Sequence, residues 1–313
     1  MQLLNKKFPL SVTVSVTLVV SAAAYSISYN VAMKKFNSVV SYNYEKQQMY
    51  SKLSDIDYAI RQEYIGAIDE NKLVESICNG YIDGIDNIDC KYYNEADYKQ
   101  YLSEKNALGN SISYNKIEDN IGYIRINNLS SESGSTFISA MQALQTAGVN
   151  NIIIDLRNVS EGDIESTGKI LNYVLPSGDI VSSIDKKGNK ELVYKSTSDG
   201  VDCNFAVLCN GYTSGISEVM ASALKDSGNA KIIGEKTAGR ALKEKNLQLS
   251  DGSVIMFPIA YYVTQSDKMI YGNGISPDIE ISMSSDKNDM LENKELQYEE
   301  DEQLNSAISY FKE

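Results

Sequence analysis

The 313-residue chain contains no histidine. That absence excludes a Ser-His-Asp triad, a Cys-His dyad and a histidine-ligated zinc centre. Any general base must be lysine, aspartate, glutamate, tyrosine or cysteine. Four cysteines are too few for a disulfide-stapled scaffold of this length. Cys203 and Cys209 bracket an apolar strand and stand ~20 Å apart along it, too far for one bond. Cys78 and Cys90 pair only if the chain folds back between them. Basic residues are outnumbered, 29 Lys+Arg against 42 Asp+Glu, for a formal charge of −13. Nucleic-acid partners need a basic face, so none is expected. There is no GxxxxGK[ST] loop and no Gly-rich dinucleotide fingerprint. No cofactor and no metal is expected.

What is present divides into four stretches. From Phe8 to Met33 no residue is charged, and a helix needs ~20 such residues to cross a bilayer. Lys6 and Lys7 precede this run and Lys34 and Lys35 follow it, so flanking charge alone leaves its orientation nearly tied. A cleaved signal peptide ending near Ala22-Ala23-Ala24 is one reading. The apolar stretch continues through Ile27 and Val31, which favours an uncleaved transmembrane anchor over 8–33. The expected location is the cell membrane, single-pass, with the remaining chain extracytoplasmic.

Residues 42–105 read as a helical lead-in. Met49, Leu53, Ile56 and Ile60 recur at three- and four-residue steps, the mark of a buried helix face. Asp69 is placed to cap a second helix. Across 109–285 strands alternate with helices. Ile121–Leu129, Asn151–Arg157, Phe205–Asn210 and Lys231–Lys236 read as strands. Phe137–Gly148, Thr167–Pro176 and Ser217–Gly228 read as helices. Leu247–Val263 reads as a hairpin around Asp251-Gly252. The pattern predicts an α/β layer fold with right-handed crossovers. Residues 286–313 form an acidic tail, read as mostly solvated, whose closing segment Gln303–Phe311 has the pattern of a short docking helix.

Several segments in order carry a resemblance: IGYIRINNL, IIIDLRN, NGYTSGISEVMASALKDSGNAKIIGEKTAGR, then LSDGSVIMFPIAYYVTQSDKMIYGNGISPDIEI. Together they resemble the tail-specific, or carboxyl-terminal processing, serine proteases over about 170 residues. The resemblance implies the layered β-α core shared with crotonase-like and Clp-type proteases. It implies a serine nucleophile with a lysine base, and substrates that present a C-terminus. Family members usually carry a peptide-binding PDZ domain before the core. Here only about twenty residues separate Leu102 from Gly122, whereas a folded domain needs ~50.

The chemistry departs further. In the family an Asn opens a loop whose sixth residue is the Ser, three residues before a Glu. Asn210 and Glu218 mark that loop here, and the nucleophile position falls on Gly215. The base position, in a T-x-G-K pattern, falls on Arg240. Glycine has no hydroxyl, and an arginine is effectively never a base. The assisting position is Glu244. The oxyanion loop carries Glu161 beside Gly162, and a carboxylate there repels developing negative charge. Fallback groups flank the lost dyad. Ser214 and Ser217 flank Gly215, and Lys236 and Lys243 flank Arg240. Each has an ordinary structural reading: a loop hydroxyl for Ser214, a helix N-cap for Ser217, and solvated charges for the lysines.

Three functions follow from the resemblance and its gaps. A pseudoprotease would bind peptides or protein C-termini. A working endopeptidase would use a displaced nucleophile. A structural subunit would pair with a paralogous active protease. Arg240 is expected either as an ordinary exposed side chain or turned into the old cleft. There it would pair with Glu244 or Glu161, or bind a ligand carboxylate.

Overall fold

The computed structural model describes residues 10–106, 111–160, 162–293 and 295–312, with the backbone alone for 10–16 and 38. The chain divides into two compact units, Met1–Glu70 and Asn71–Glu313.

In the first unit a single helix, α1 (Leu10–Glu63), runs unbroken for 54 residues. Near its end Arg61 Nε donates to Asp57 at 2.8 Å, while its two terminal nitrogens reach both carboxylate oxygens of Glu70 at 2.6 and 2.8 Å. Two expectations change here. Among the described residues no helix is long and apolar enough to cross a membrane. The proposed 8–33 span begins outside them, and from Ser21 to Asn30 the run is diluted by Ser21, Tyr25, Ser26, Ser28, Tyr29 and Asn30. A transmembrane helix is therefore not supported. The Met49, Leu53, Ile56, Ile60 face is not buried within the chain; all four side chains are exposed.

The second unit opens with α2 (Glu70–Asp83), β1 (Lys91–Tyr93) and α3 (Glu95–Asn106). β2 (Ile112–Glu118) and β3 (Ile121–Ile126) follow after residues 107–110, leaving no room for an inserted domain. Then come α4 (Ser133–Thr146), β4 (Asn151–Asp155), α5 (Ile164–Val174), β5 (Gly178–Asp185), β6 (Lys190–Ser196), β7 (Asn204–Cys209) and α6 (Ile216–Asp226). The chain closes with β8 (Ala230–Gly234), β9 (Leu242–Gln248), β10 (Val254–Val263), β11 (Ile279–Glu280), α7 (Ser285–Glu292) and α8 (Glu302–Tyr310).

Six strands form the central sheet in the order β11-β8-β7-β4-β3-β2. All neighbours are parallel except the β2–β3 pair. β4 is a continuous apolar run because both its faces are covered. Ile152 and Ile154 pack with Phe137, Ile170 and Met220 of α4, α5 and α6. Ile153 faces the other way, with Ala206, Leu208 and Leu304 of α8. The parallel order places the C-terminal ends of β4 and β7 side by side, and the loops that leave them build the site.

The second sheet is antiparallel. β10 pairs with β9 along one edge, and with β1 and then β5 along the other. The β5–β6 hairpin escapes the sequence pattern because its strands are charged and half-exposed. Its turn is held by Asp185 Oδ1, which accepts the amides of Lys187 at 2.8 Å and Asn189 at 2.9 Å. All four cysteines are free thiols, so Cys78 and Cys90 do not pair; Cys78 lies on α2 and Cys90 in the loop before β1.

The acidic C-terminal stretch is not solvated throughout. Asp301 caps α8 by accepting the Leu304 amide at 3.0 Å. Asp301, Gln303, Leu304 and Ala307 are all buried. A buried cation draws them in. Arg157 is fully buried and donates to both oxygens of Asp301 at 2.9 and 2.7 Å and to Gln303 at 3.2 Å.

Candidate active site

The site grows from two loops that cross. The first leaves β4 as Leu156-Arg157-Asn158-Val159-Ser160. Arg157 is anchored by Asp155, through Nε at 2.9 Å and Nη2 at 2.6 Å. Arg125 and the Tyr123 hydroxyl also reach Asp155, each at 2.7 Å. Burial alone would push the Asp155 carboxyl up, but Arg125, Arg157 and these hydrogen bonds hold it well below the ordinary carboxylate range. Burial likewise opposes the charge on Arg157, and Asp155 and Asp301 overcome it.

The second loop leaves β7 as Asn210–Gly215. Asn210 and Asn158 lock the loops together. The Asn158 amide donates to Asn210 Oδ1 at 3.1 Å, and Asn210 Nδ2 donates to Asn158 Oδ1 at 2.6 Å. This grip needs Asn158 in the left-handed region, at φ +62°, a conformation asparagine tolerates better than most residues. The Ser214 amide donates to Val159 O at 3.0 Å.

Gly215 sits at the tip, at φ +66°. A Cβ there would stand 2.9 Å from the Ser160 carbonyl oxygen. The loop thus makes a sharp elbow at the position the resemblance assigns to the nucleophile, and the residue on it carries no side chain. Immediately beyond, Glu218 is fully buried and organises the site. One oxygen, Oε2, accepts the amides of Gly215 at 3.0 Å and Arg240 at 2.7 Å. The other accepts the Gly239 amide at 2.6 Å and the Thr237 hydroxyl. Register in the sequence marked Glu218; its part as the tie between Gly215 and Arg240 could not be read there.

Arg240 is placed at the cleft, but not as expected. Its guanidinium pairs with Asp89, from the loop before β1, rather than chiefly with Glu244. Asp89 is only 8% exposed, while the Arg240 side chain keeps 46%. The hydrogen bond to Asp89 is the largest influence raising the Arg240 pKa, with Glu244 adding a weaker attraction. Asp89 lies 151 residues from Arg240 in the chain, and no sequence signal links the two. Glu161 lies outside the described residues. Gly162 is packed tightly: a Cβ there would come within 2.2 Å of Ile216 and 2.6 Å of Leu129.

The fallback groups separate. Ser217 is fully buried, and its hydroxyl lies 2.6 Å from Val159 O and 2.7 Å from Ser214 O. It is not the N-cap of α6, which is Gly215, because the loop turns two residues earlier. Lys243 points away to Glu191, at 2.9 Å. Lys236 is exposed and lies outside the cleft lining. Ser214 alone remains in the cleft; its hydroxyl lies 3.5 Å from Ser160 O, and among the described residues no lysine bonds it.

The cleft has a volume of about 490 Å³. Gly215 and Ser214 form its base, with Ile216, Leu242, Met256 and Tyr262 as apolar walls. Lys91, Lys105 and Arg240 bring positive charge, and Asp89, Asp163 and Glu244 negative. Burial, with Glu244 adding to it, pushes the Tyr262 hydroxyl up to about 12, so it stays neutral. Among the described residues no cluster suited to a metal ion occurs. The cleft suits an extended, polar-ended chain, with Gly215 and Arg240 at the two positions the family resemblance assigns to nucleophile and base.

Comparison with known proteins places the core in a family. Residues 120–281 match the model of peptidase family S41. A probable CtpA-like serine protease of Staphylococcus epidermidis is 31% identical over 175 residues, 55% of this chain and 35% of that protein. A carboxyl-terminal-processing protease of Synechocystis is 33% identical over 158 residues, 50% of this chain and 37% of that protein. The chain thus spans little more than a third of the curated relatives it matches. Among solved structures, the photosystem II D1 C-terminal processing protease superposes with a TM-score of 0.51 at 28% identity, covering 55% of this chain and 48% of its own. A lipoprotein from Streptococcus agalactiae shares the fold, with a TM-score of 0.56 at 18% identity over 73% of this chain and 82% of its own.

Proposed function

The chain belongs to peptidase family S41, and from that premise we propose that it binds peptides in the family's cleft without cleaving them. The observation that carries this reading is Gly215: the nucleophile elbow is built, buttressed by Glu218 and backed by a cleft, yet its tip has no hydroxyl. Arg240 at the base position cannot take a proton, and Asp89 holds it charged. The ligand class is a peptide or protein with a free C-terminus, whose carboxylate Arg240 would receive bidentately.

The test is direct. Purified protein should neither turn over casein or C-terminal-tail peptides nor be labelled by serine-reactive fluorophosphonates. By calorimetry it should bind peptides with free C-termini more tightly than their amidated forms, and Arg240→Gln should erase the difference. Equal affinities would end the carboxylate reading. Ser214 lines the cleft and is the one observation that favours a displaced nucleophile. Labelling abolished by Ser214→Ala would establish that reading instead. Co-purification with an intact paralogous protease, without peptide binding, would make the chain a structural subunit.

The proposed setting is extracytoplasmic. Its support is the uncharged stretch Phe8–Met33. Release of the full chain by alkaline carbonate, or its recovery from the medium with a new N-terminus near Tyr25, would exclude an anchor.

A further inference from the structure

The exposed apolar face of α1 repeats with the period of a coiled-coil seam. From Val39 the apolar residues fall at alternating four- and three-residue steps: Val39, Tyr42, then Met49, Leu53, Ile56 and Ile60. In heptad notation Val39, Lys46, Leu53 and Ile60 occupy a, and Tyr42, Met49 and Ile56 occupy d. The six apolar or aromatic members are between 38% and 63% exposed. The opposite face carries Ser41, Gln48, Ser51, Asp55 and Gln62, interrupted by the exposed Val40, Tyr44 and Tyr58. A repeat of 3.5 residues sustained over three heptads keeps one seam facing a second helix under a left-handed supercoil.

We propose that this seam is covered by the same seam of a second copy of this chain, parallel and in register, as a two-stranded coiled coil over Val39–Ile60. Charge complementarity selects that occupant. In a parallel in-register pair an a residue packs beside the preceding g residue of its partner, so Lys46 meets Glu45 of the second copy. A g residue faces the following e residue of its partner, so Lys52 meets Asp57 of the second copy. Both contacts are attractive, and both occur twice by symmetry. Within one chain Lys46 Nζ lies 5.8 Å from the Tyr50 ring centroid, and Asp57 gives Oδ1 to Arg61. Neither contact covers the apolar seam. A lysine at a single a position costs stability and restricts both register and strand number.

The full chain, in mild detergent at tens of micromolar, should sediment at twice the single-chain mass. Leu53→Asp with Ile56→Asp should return it to single-chain mass, while Tyr58→Asp on the outer face should not. In a Cys78→Ser, Cys90→Ser background, Met49→Cys should form an interchain disulfide at least tenfold faster than Tyr58→Cys, because an in-register d position meets its own copy across the seam and an f position does not. Lys46→Glu should weaken dimerisation at least tenfold, and adding Glu45→Lys should restore it. Single-chain mass for the unsubstituted protein, a mass of three chains, equal cross-linking at 49 and 58, or no rescue by the charge swap would each overturn the proposal. Peptide binding plays no part in these readouts.

Discussion

Gly215 and Arg240, twenty-five residues apart in the chain, share one hydrogen-bond acceptor: Oε2 of Glu218 takes the amide of Gly215 at 3.0 Å and that of Arg240 at 2.7 Å. Both backbone positions are therefore tied to a third residue, Glu218, through bonds that use neither position's side chain.

Glu218→Gln tests that dependence. The exchange keeps volume and removes the charge, and the new NH2 group must face a donor already aimed at it. At least one buried amide is left without an acceptor, at ~1–3 kcal/mol, and the remaining bonds lose their charge assistance. Urea denaturation should show a loss of about 2–4 kcal/mol. A loss below ~0.5 kcal/mol would mean that the site is not organised through this carboxylate.

Restoring the dyad should not restore cleavage. Gly215→Ser places a Cβ 2.9 Å from the Ser160 carbonyl oxygen at φ +66°, at a cost of ~1–3 kcal/mol. A lysine at 240 would sit beside Asp89, and an opposite charge favours the protonated amine, the wrong state for a base. Gly215→Ser with Arg240→Lys is expected to remain at background on casein. Hydrolysis above background would show that loss of the dyad alone silenced the site.

Asp89 competes for the group that a ligand carboxylate would use. Asp89→Asn removes the charge but keeps the shape, so Arg240 should receive a carboxylate more readily. A charge-assisted hydrogen bond is worth ~1.5–3 kcal/mol. The ratio of affinities for free and amidated peptides should therefore widen by roughly tenfold or more in calorimetric titration. An unchanged or narrowed ratio would remove Arg240 from the recognition of the carboxylate.

Apolar period and turn chemistry carried most of the core. β4, β7 and α6 lie where Ile152–Ile154, Phe205–Cys209 and Val219–Leu224 place them, because burial on both faces leaves a pattern in one sequence stretch. The β5–β6 hairpin left none: its strands are polar and half-exposed, and Asp185 at the turn is legible only once the strands are seen. The loop from Asn210 to Glu218 could be marked by spacing, and the structure folds it against the loop that leaves β4. Asp89 could not be found, since a contact across 151 residues writes nothing local. The α1 periodicity was legible, but a helical stripe reports that a face prefers to be covered, not by what. The pull of Arg157 on Asp301 was hidden for the same reason, and it turned a stretch that reads as solvated tail into part of the core.

That last pair gives a prediction with a pH signature. Arg157 is fully buried between Asp155 and Asp301, so Asp301→Asn leaves a buried cation short of one counter-charge. Breaking such a pair costs ~3–5 kcal/mol, and urea denaturation at neutral pH should show a loss of that order; Glu299→Gln, at an exposed site nearby, should show little. Asp155 supplies the acid dependence. Its carboxyl is held below its unfolded value of ~3.9 by the two arginines despite burial. A depressed carboxylate contributes stability that is fully present above the unfolded value and disappears as pH falls through the folded one. Stability should therefore decline from about pH 5 downward and continue to decline below pH 4, where ordinary surface carboxylates are already protonated. α8 contacts the core through this network, so its amides should lose hydrogen-exchange protection early in the same window. Protection of α8 that outlasts that of β4 as the pH is lowered would show that apolar contacts at Leu304 and Ala307, rather than the buried ion pair, hold the C-terminal helix in place.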